Sequence, residues 1–267
     1  MSHPKQILLG LEARARKSLS QNFLLSPHWA DQLASYAVNV SGVQEIWEIG
    51  PGLGALTQSL CSKATVPIRI FEYDRKLVPY LKNEFPTVTV VEGDFLKTDL
   101  AAVSSAENIS VLSNLPYHIS SAVFFKLLEI RHRILRMVLT FQKEFAERLL
   151  APPGRHAYGA LSVSAQLAFQ IQSLGVLPPG AFYPPPAVSS EALLLEPKRV
   201  MPVPLEKVTA IAKAAFKHRR KKAINNLAAA FPKINFGDAF ARLGISVNAR
   251  AEEIPKESYV QLARLNG

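Results

Sequence analysis

The stretch Glu45-Ile46-Trp47-Glu48-Ile49-Gly50-Pro51-Gly52-Leu53-Gly54-Ala55-Leu56-Thr57 decides how this chain is read. An apolar, strand-like run breaks off at a cluster of glycines. Apolar residues at helical spacing follow over residues 55–63, giving a strand–turn–helix unit. Glycines at such a turn let the backbone bend tightly and let a ligand approach it closely. Further strand-like runs occur at residues 67–72, 87–92, 109–113 and 137–141, separated by helical patterns such as residues 120–130. That alternation predicts an α/β fold on a parallel sheet. The apolar segments at residues 161–169 and 191–195 are expected to supply its last strands. Residues 176–190, VLPPGAFYPPPAVSS, are too rich in proline for helix or central strand.

From about Leu205 the character changes to short amphipathic helices: a basic one through Arg220, one over residues 236–243 and one over residues 255–265. A boundary near residue 200 is expected. It separates a larger domain, residues 1–199 with a lid segment at about 1–30, from a small helical domain, residues 200–267.

The chain has 267 residues, 48% of them hydrophobic, enough for a sizeable core and unlike a disordered or collagen-like composition. No apolar run is long enough to span a bilayer, and residues 1–21 lack the pattern of a signal peptide. With the single Cys61, an intrachain disulfide and a multi-thiol metal site are excluded. A cytoplasmic, soluble protein without a metal site is expected. The 31 Lys and Arg against 21 Asp and Glu leave a net charge of +10, which favours a polyanionic partner. Lys217, Arg219, Arg220, Lys221 and Lys222 concentrate that charge, and a second group lies near the start, with Arg16 and Lys17. Both groups are candidates for contacting RNA.

The glycine loop formally satisfies a dinucleotide fingerprint through Gly50, Gly52 and Ala55, yet Pro51 removes one of the N–H donors that a pyrophosphate needs. Glu48, two positions before the first glycine, suits a cationic ligand better. S-adenosylmethionine, with an ammonium, a sulfonium and no phosphate, is such a ligand. Glu72, at the end of the second strand-like run, stands where a carboxylate accepts from ribose hydroxyls. Asp94, past the third run, is placed to meet an adenine amino group. A methyl donor is favoured over a nicotinamide cofactor, because a dehydrogenase leaves the next motif unexplained.

After the fourth run comes Asn114-Leu115-Pro116-Tyr117, where an α/β sheet places its active site. Alone it reads as an ordinary turn. Beside the cofactor pattern it reads as a device for an adenine amine, whose lone pair is delocalised into the ring. The Asn114 side-chain oxygen and the Leu115 carbonyl would accept from the amine, aiming its lone pair and stabilising the positive charge that develops on nitrogen. Tyr117 would stack on the flipped-out base. Phe182 is the candidate for the opposite face of the clamp, or else a core residue in a proline-rich linker.

With these residues assembled, the chain resembles the ribosomal RNA adenine N6,N6-dimethyltransferases of the small-subunit (KsgA) type. The resemblance runs through residues 16–24, the loop from Glu48, residues 114–117, Gln142-Lys143-Glu144, residues 158–162, residues 181–186, Arg219-Arg220-Lys221 and Asn225-Asn226-Leu227. It implies a Rossmann-like class I S-adenosylmethionine-dependent methyltransferase domain with a small all-α C-terminal domain. It also implies that Asn22 and Leu24 join Gly50, Glu72, Asp94 and Asn114 in holding the cofactor, and that Asn114, Leu115, Tyr117 and Phe182 handle the adenine. The implied partner is small-subunit rRNA in an immature small ribosomal subunit, met by a monomer without a stable protein partner. The chain departs from the family at Ser20, where glycine is usual, and at Ala187, where lysine often follows the prolines. Two rivals stand beside this reading: a large-subunit rRNA adenine N6-methyltransferase of the antibiotic-resistance type, and a non-catalytic rRNA-binding assembly factor.

Overall fold

The structure, a computed structural model, describes residues 3–12, 15–16, 19, 21–199 and 202–265. Lys17 and Ser20, singled out above, lie outside the described residues. The chain divides into two compact units, Met1–Lys143 with Gln172–Pro197, and Glu144–Ile171 with Lys198–Gly267. Residues 144–171 therefore group with the C-terminal helices, which corrects the expected uninterrupted domain through residue 199.

The strands are β1 (Phe23–Leu24), β2 (Glu45–Ile49), β3 (Ile68–Glu72), β4 (Thr89–Glu92), β5 (Ile109–Asn114), β6 (Ile134–Gln142), β7 (Phe169–Leu177), β8 (Phe182–Tyr183) and β9 (Ser190–Pro197). Seven of them form one sheet in the order β4-β3-β2-β5-β6-β9-β7, while β1 and β8 pair antiparallel by themselves. The five strands from β4 to β6 are parallel. β9 runs antiparallel to β6, so the sheet is mixed rather than wholly parallel as expected. Central β2 is buried at every position, as a strand covered on both faces must be. The edge strand β4 has no buried residue.

Helices α1 (Pro4–Gly10), α2 (Pro27–Val38), α3 (Ala55–Cys61), α4 (Val78–Glu84), α5 (Leu100–Val103) and α6 (Ser120–Glu129) belong to the first unit. Pro27 opens α2 and the Ser26 hydroxyl caps it by accepting the Trp29 N–H, a standard helix start. α3 starts instead from Gly54 in a left-handed conformation.

The second unit carries α7 (Lys143–Leu150, from its second residue), α8 (Ala160–Ala168), α9 (Leu205–Ala215), α10 (Ala223–Ala230), α11 (Phe236–Arg242) and α12 (Lys256–Ala263). Its core gathers Tyr158, Ile211, Leu227, Phe240 and Tyr259. The expected strand at residues 161–169 is helix α8, and the strand begins only at Phe169. Ala, Leu and Gln favour helix there, while burial on nearly every side erases the helical periodicity that would have announced it. Ser162 completes the start by accepting the Gly159 N–H.

No helix among the described residues is long and apolar enough to cross a membrane. Among them, no cluster of three or more His, Cys, Asp or Glu could hold a metal ion.

Candidate active site

The carboxyl ends of β2, β3, β4 and β5 open on one cavity of about 780 Å³. Its walls include the glycine loop, Glu72, Tyr73, Gly93, Asp94, residues 114–119, and residues 21–25 of the N-terminal segment. His3, Pro4 and Ile7 of α1 and the residue before it also line it. Glu48, Gly50, Gly52, Glu72, Asp94, Asn114, Leu115, Tyr117, Asn22 and Leu24 thus come together around a single space.

The loop's shape depends on its glycines. Gly50, Gly52 and Gly54 all have positive φ, at 66°, 58° and 82°. A Cβ on Gly52 would lie 2.9 Å from the Phe23 ring, and one on Gly54 only 2.3 Å from the Phe85 ring. The loop is thereby closed over by aromatic rings on two sides, leaving its remaining face to the cavity. The Ser113 hydroxyl donates to the Ile49 carbonyl at 2.5 Å, tying the end of β5 to the start of the loop.

The two glutamates are held differently. Glu48 is buried and accepts the Thr57 hydroxyl at 2.6 Å. Burial, aided by the neighbouring Glu72 charge and opposed by the Thr57 bond, pushes its pKa up to about 8. Glu72 accepts the Gly52 N–H at 3.2 Å and the Asp74 N–H at 2.6 Å. Burial raises it to about 7 against those bonds. Two carboxyls in the cavity wall are therefore poised to ionise when a cation enters. Asp94 accepts the Leu96 N–H at 2.9 Å. Its loop is fastened by Lys126 of α6, whose ammonium donates to the Leu96 and Thr98 carbonyls.

Asn114 ends β5 and donates its side-chain amide to the Asn22 carbonyl at 3.0 Å. With the nitrogen directed there, the carbonyl oxygen of the same side chain is the acceptor available to a ligand. The antiparallel course of β9 brings Ser190 to the finishing end of β6, where it pairs with Gln142. The Ser190 hydroxyl lies 2.7 Å from the Tyr117 hydroxyl and fixes the half-buried ring in the cavity wall. Burial raises the Tyr117 pKa, so the phenol stays neutral.

Phe182 is placed differently from the expected clamp. It is 2% exposed, packs in the first unit's core and pairs with Leu24 across β1 and β8. Its ring is absent from the cavity wall. Leu24, its partner across the two short strands, does line the cavity.

Of the expected RNA contacts, Arg16 approaches Asp74 at 3.7 Å and is half-exposed. Arg219, exposed like its neighbours, donates from Nη2 to the His156 and Tyr158 carbonyls of its own unit and lies over the Phe216 ring, so one nitrogen of its guanidinium is engaged in that unit's structure. Lys217, Arg220, Lys221 and Lys222 are exposed, and none forms an ion pair among the described residues.

Sequence reading missed Thr57, Asp74, Lys126 and Ser190. Asp74 alone carried a signal, as an acid two residues past Glu72. The others act through contacts that only the tertiary fold creates.

The model of the family described as ribosomal RNA adenine dimethylase matches residues 12–266. The ribosomal RNA small subunit methyltransferase A of Geobacter sulfurreducens is 38% identical over 263 residues, covering 94% of this chain and 95% of that one. Its counterpart in Myxococcus xanthus is 34% identical over 275 residues, covering 100% and 96%. Among solved structures, a dimethyladenosine transferase from Plasmodium falciparum superposes with a TM-score of 0.74 at 25% identity, covering 90% and 95%. The 23S rRNA methyltransferase ErmE superposes at 0.71 and 22% identity, over 91% and 99%, a likeness of fold.

Proposed function

The chain belongs to the ribosomal RNA adenine dimethylase family, and from that premise we propose that it transfers two methyl groups to N6 of adenines in small-subunit rRNA, with S-adenosylmethionine as donor. The observation that carries the reading is the placement of Asn114. Its amide is turned toward the Asn22 carbonyl, which leaves its oxygen to a ligand in the cavity that the glycine loop also lines.

The cavity fits such a donor. Glycines that tolerate no side chain, two buried carboxyls and Asp94 in the same cavity wall match a cation carrying ribose and adenine. Glu72 would take the ribose hydroxyls, Asp94 the adenine amine, and Glu48 would offset the positive charge. When bound, the donor supplies a methyl group on a sulfonium, activated enough for direct displacement. The protein's task is then positioning. Asn114 Oδ1 and the Leu115 carbonyl accept from the target amine, so its lone pair faces the methyl and the charge growing on nitrogen is stabilised where it forms. Tyr117, anchored by Ser190, offers a flat neutral face to the flipped base. No strong base is needed, since the proton leaves an amine that has become cationic. For the second transfer the monomethylated amine turns its remaining N–H to the same acceptors.

The protein would act in the cytoplasm as a monomer on the immature small subunit, with Lys217, Arg220, Lys221 and Lys222 meeting phosphates. Incubation with unmethylated small subunits and S-adenosylmethionine, followed by nucleoside mass spectrometry, tests the reading. N6,N6-Dimethyladenosine in the small-subunit RNA is expected. Its absence while the subunit is still bound would give the reading over to a non-catalytic assembly factor, and product in large-subunit RNA alone would give it over to the resistance-type enzymes.

A further inference from the structure

Two consecutive residues of the N-terminal segment are held at different places, one by a residue of the cavity wall and one by a carboxylate outside it. Asn22 is held by Asn114 through its carbonyl. Gln21 is held by Asp74: its amide nitrogen donates to Asp74 Oδ2 at 3.1 Å, and its own oxygen accepts the Arg16 N–H at 2.8 Å. The Arg16 guanidinium lies 3.7 Å from the other Asp74 oxygen, which also accepts the Lys76 N–H at 3.2 Å. The Asp74 side chain is 6% exposed and forms no part of the cavity wall. Its backbone N–H nevertheless donates to Glu72 Oε1 at 2.6 Å, the carboxyl assigned to the ribose.

We propose that Asp74 is a positioning residue, a latch that holds the N-terminal segment closed through Gln21 and couples that closure to the Glu72 carboxylate on which the cofactor rests. This rests on the cofactor reading given above. The physical reason is connectivity. Asp74 holds the segment that covers the cavity through its buried carboxylate and the Glu72 carboxylate at the strand end through its backbone N–H. Loss of the Gln21 bond loosens residues 21–24, and with them Leu24 and the Asn22 carbonyl that orients Asn114. Release at the ribose side is thereby felt at the transfer side without any contact between Asp74 and either reactant.

The test is a double-substitution cycle on the full chain with Gln21→Ala, Asp74→Ala and both together, with Asp74→Asn as the conservative control. Each single substitution is expected to raise the Kd for S-adenosylhomocysteine by about tenfold, the size of one lost hydrogen bond, and to speed hydrogen exchange of the amides of residues 22–25. The cofactor KM should rise by a larger factor than kcat falls. The double variant should be no worse than Asp74→Ala alone, because Asp74→Ala already removes the Gln21 link. Asp74→Asn keeps a single acceptor oxygen, which can serve Gln21 or the Lys76 N–H but not both, so it should lose less affinity than Asp74→Ala without regaining that of the unaltered protein. Additive losses would reduce Asp74 to a local turn former and overturn the latch, as would wild-type affinity in Gln21→Ala. Thermal unfolding of each variant separates a misfolded protein from an opened one. Failure of the unaltered protein to bind S-adenosylhomocysteine would instead defeat the cofactor reading. The exchange cycle would still report on the latch itself.

Discussion

At the scale of single residues, the Asn114 side chain does two things with its two ends. Its nitrogen donates to the Asn22 carbonyl, and its oxygen is assigned to the target amine. Asn114→Ala removes both and is expected to lower the single-turnover rate by about 10²-fold or more, the scale of losing one preorganised acceptor at a developing charge. RNA affinity should change by less than about threefold, because binding to RNA is dominated by phosphate contacts elsewhere. Asn114→Asp keeps an acceptor but opposes a carboxylate to the Asn22 carbonyl, so it should fail as badly as alanine. A rate near normal for either variant, measured at saturating RNA and cofactor, would remove Asn114 from the chemistry.

The paired glutamates make a pH prediction. Both have folded pKa values above the ordinary 4.5, Glu48 at about 8 and Glu72 at about 7. Below about pH 4.5 each is protonated in folded and unfolded chains alike. As pH rises from there toward 8, the unfolded chain releases these protons first, so stability falls through that window and levels off above it. Glu48→Gln removes one of the two groups. Its melting temperature relative to the unaltered protein is therefore expected to climb between pH 5 and pH 9. A cation in the cavity lowers both pKa values. Binding of S-adenosylmethionine near pH 7 should then release protons, seen by calorimetry in buffers of different ionisation enthalpy. The release should be smaller for the thioether product, which lacks the sulfonium.

At the scale of elements, the strand–loop–helix unit 45–61 behaves as one part because the loop can be built in only one way. Gly54 sits at φ 82°, and its missing Cβ makes room for the Phe85 ring. Gly54→Ala has to bear the left-handed backbone and displace an aromatic ring that is itself buried. Together these should cost roughly 2–5 kcal/mol. Urea unfolding at pH 9, above the glutamates' titration window, checks this; a loss under about 1 kcal/mol would mean that the loop can be rebuilt around a side chain.

This unit was legible because glycines, a β-branched run and helical spacing fall in one local window. The same holds for β3, β4 and β5, whose expected spans match the structure at one end and differ by a residue or two at the other. What stayed hidden are the elements whose identity depends on distant partners. α8 reads as strand because it is buried on nearly every side. The reversal of β9 leaves no mark within residues 190–197, since pairing direction is a property of two strands. Phe182 sits in a proline-rich stretch that gives no hint of its two-residue pairing with β1 or of its burial in the first unit's core.

At the scale of the whole molecule, the excess of +10 was legible from composition, whereas its use was not. The cations that sequence groups together divide once their neighbours are known. Arg219 is engaged by the His156 and Tyr158 carbonyls and by the Phe216 ring, so it supports the second unit. Arg16 is engaged at Asp74. Lys217, Arg220, Lys221 and Lys222 remain exposed with no ion pair among the described residues, held along the turn between α9 and α10. An unpaired exposed cation contributes little to folding, but each phosphate it neutralises releases counterions on binding. Replacing these four by alanine should therefore leave the melting temperature nearly unchanged and weaken binding to the small subunit by tenfold or more at about 0.1 M salt. The slope of log affinity against log salt should flatten by about 3, at 0.7–0.9 per phosphate contact. Arg219→Ala is expected to do the reverse, lowering the melting temperature while altering the salt slope by less than one such contact. If the fourfold variant keeps the original slope, the phosphates are met by another surface, and the cluster's charge serves solubility instead.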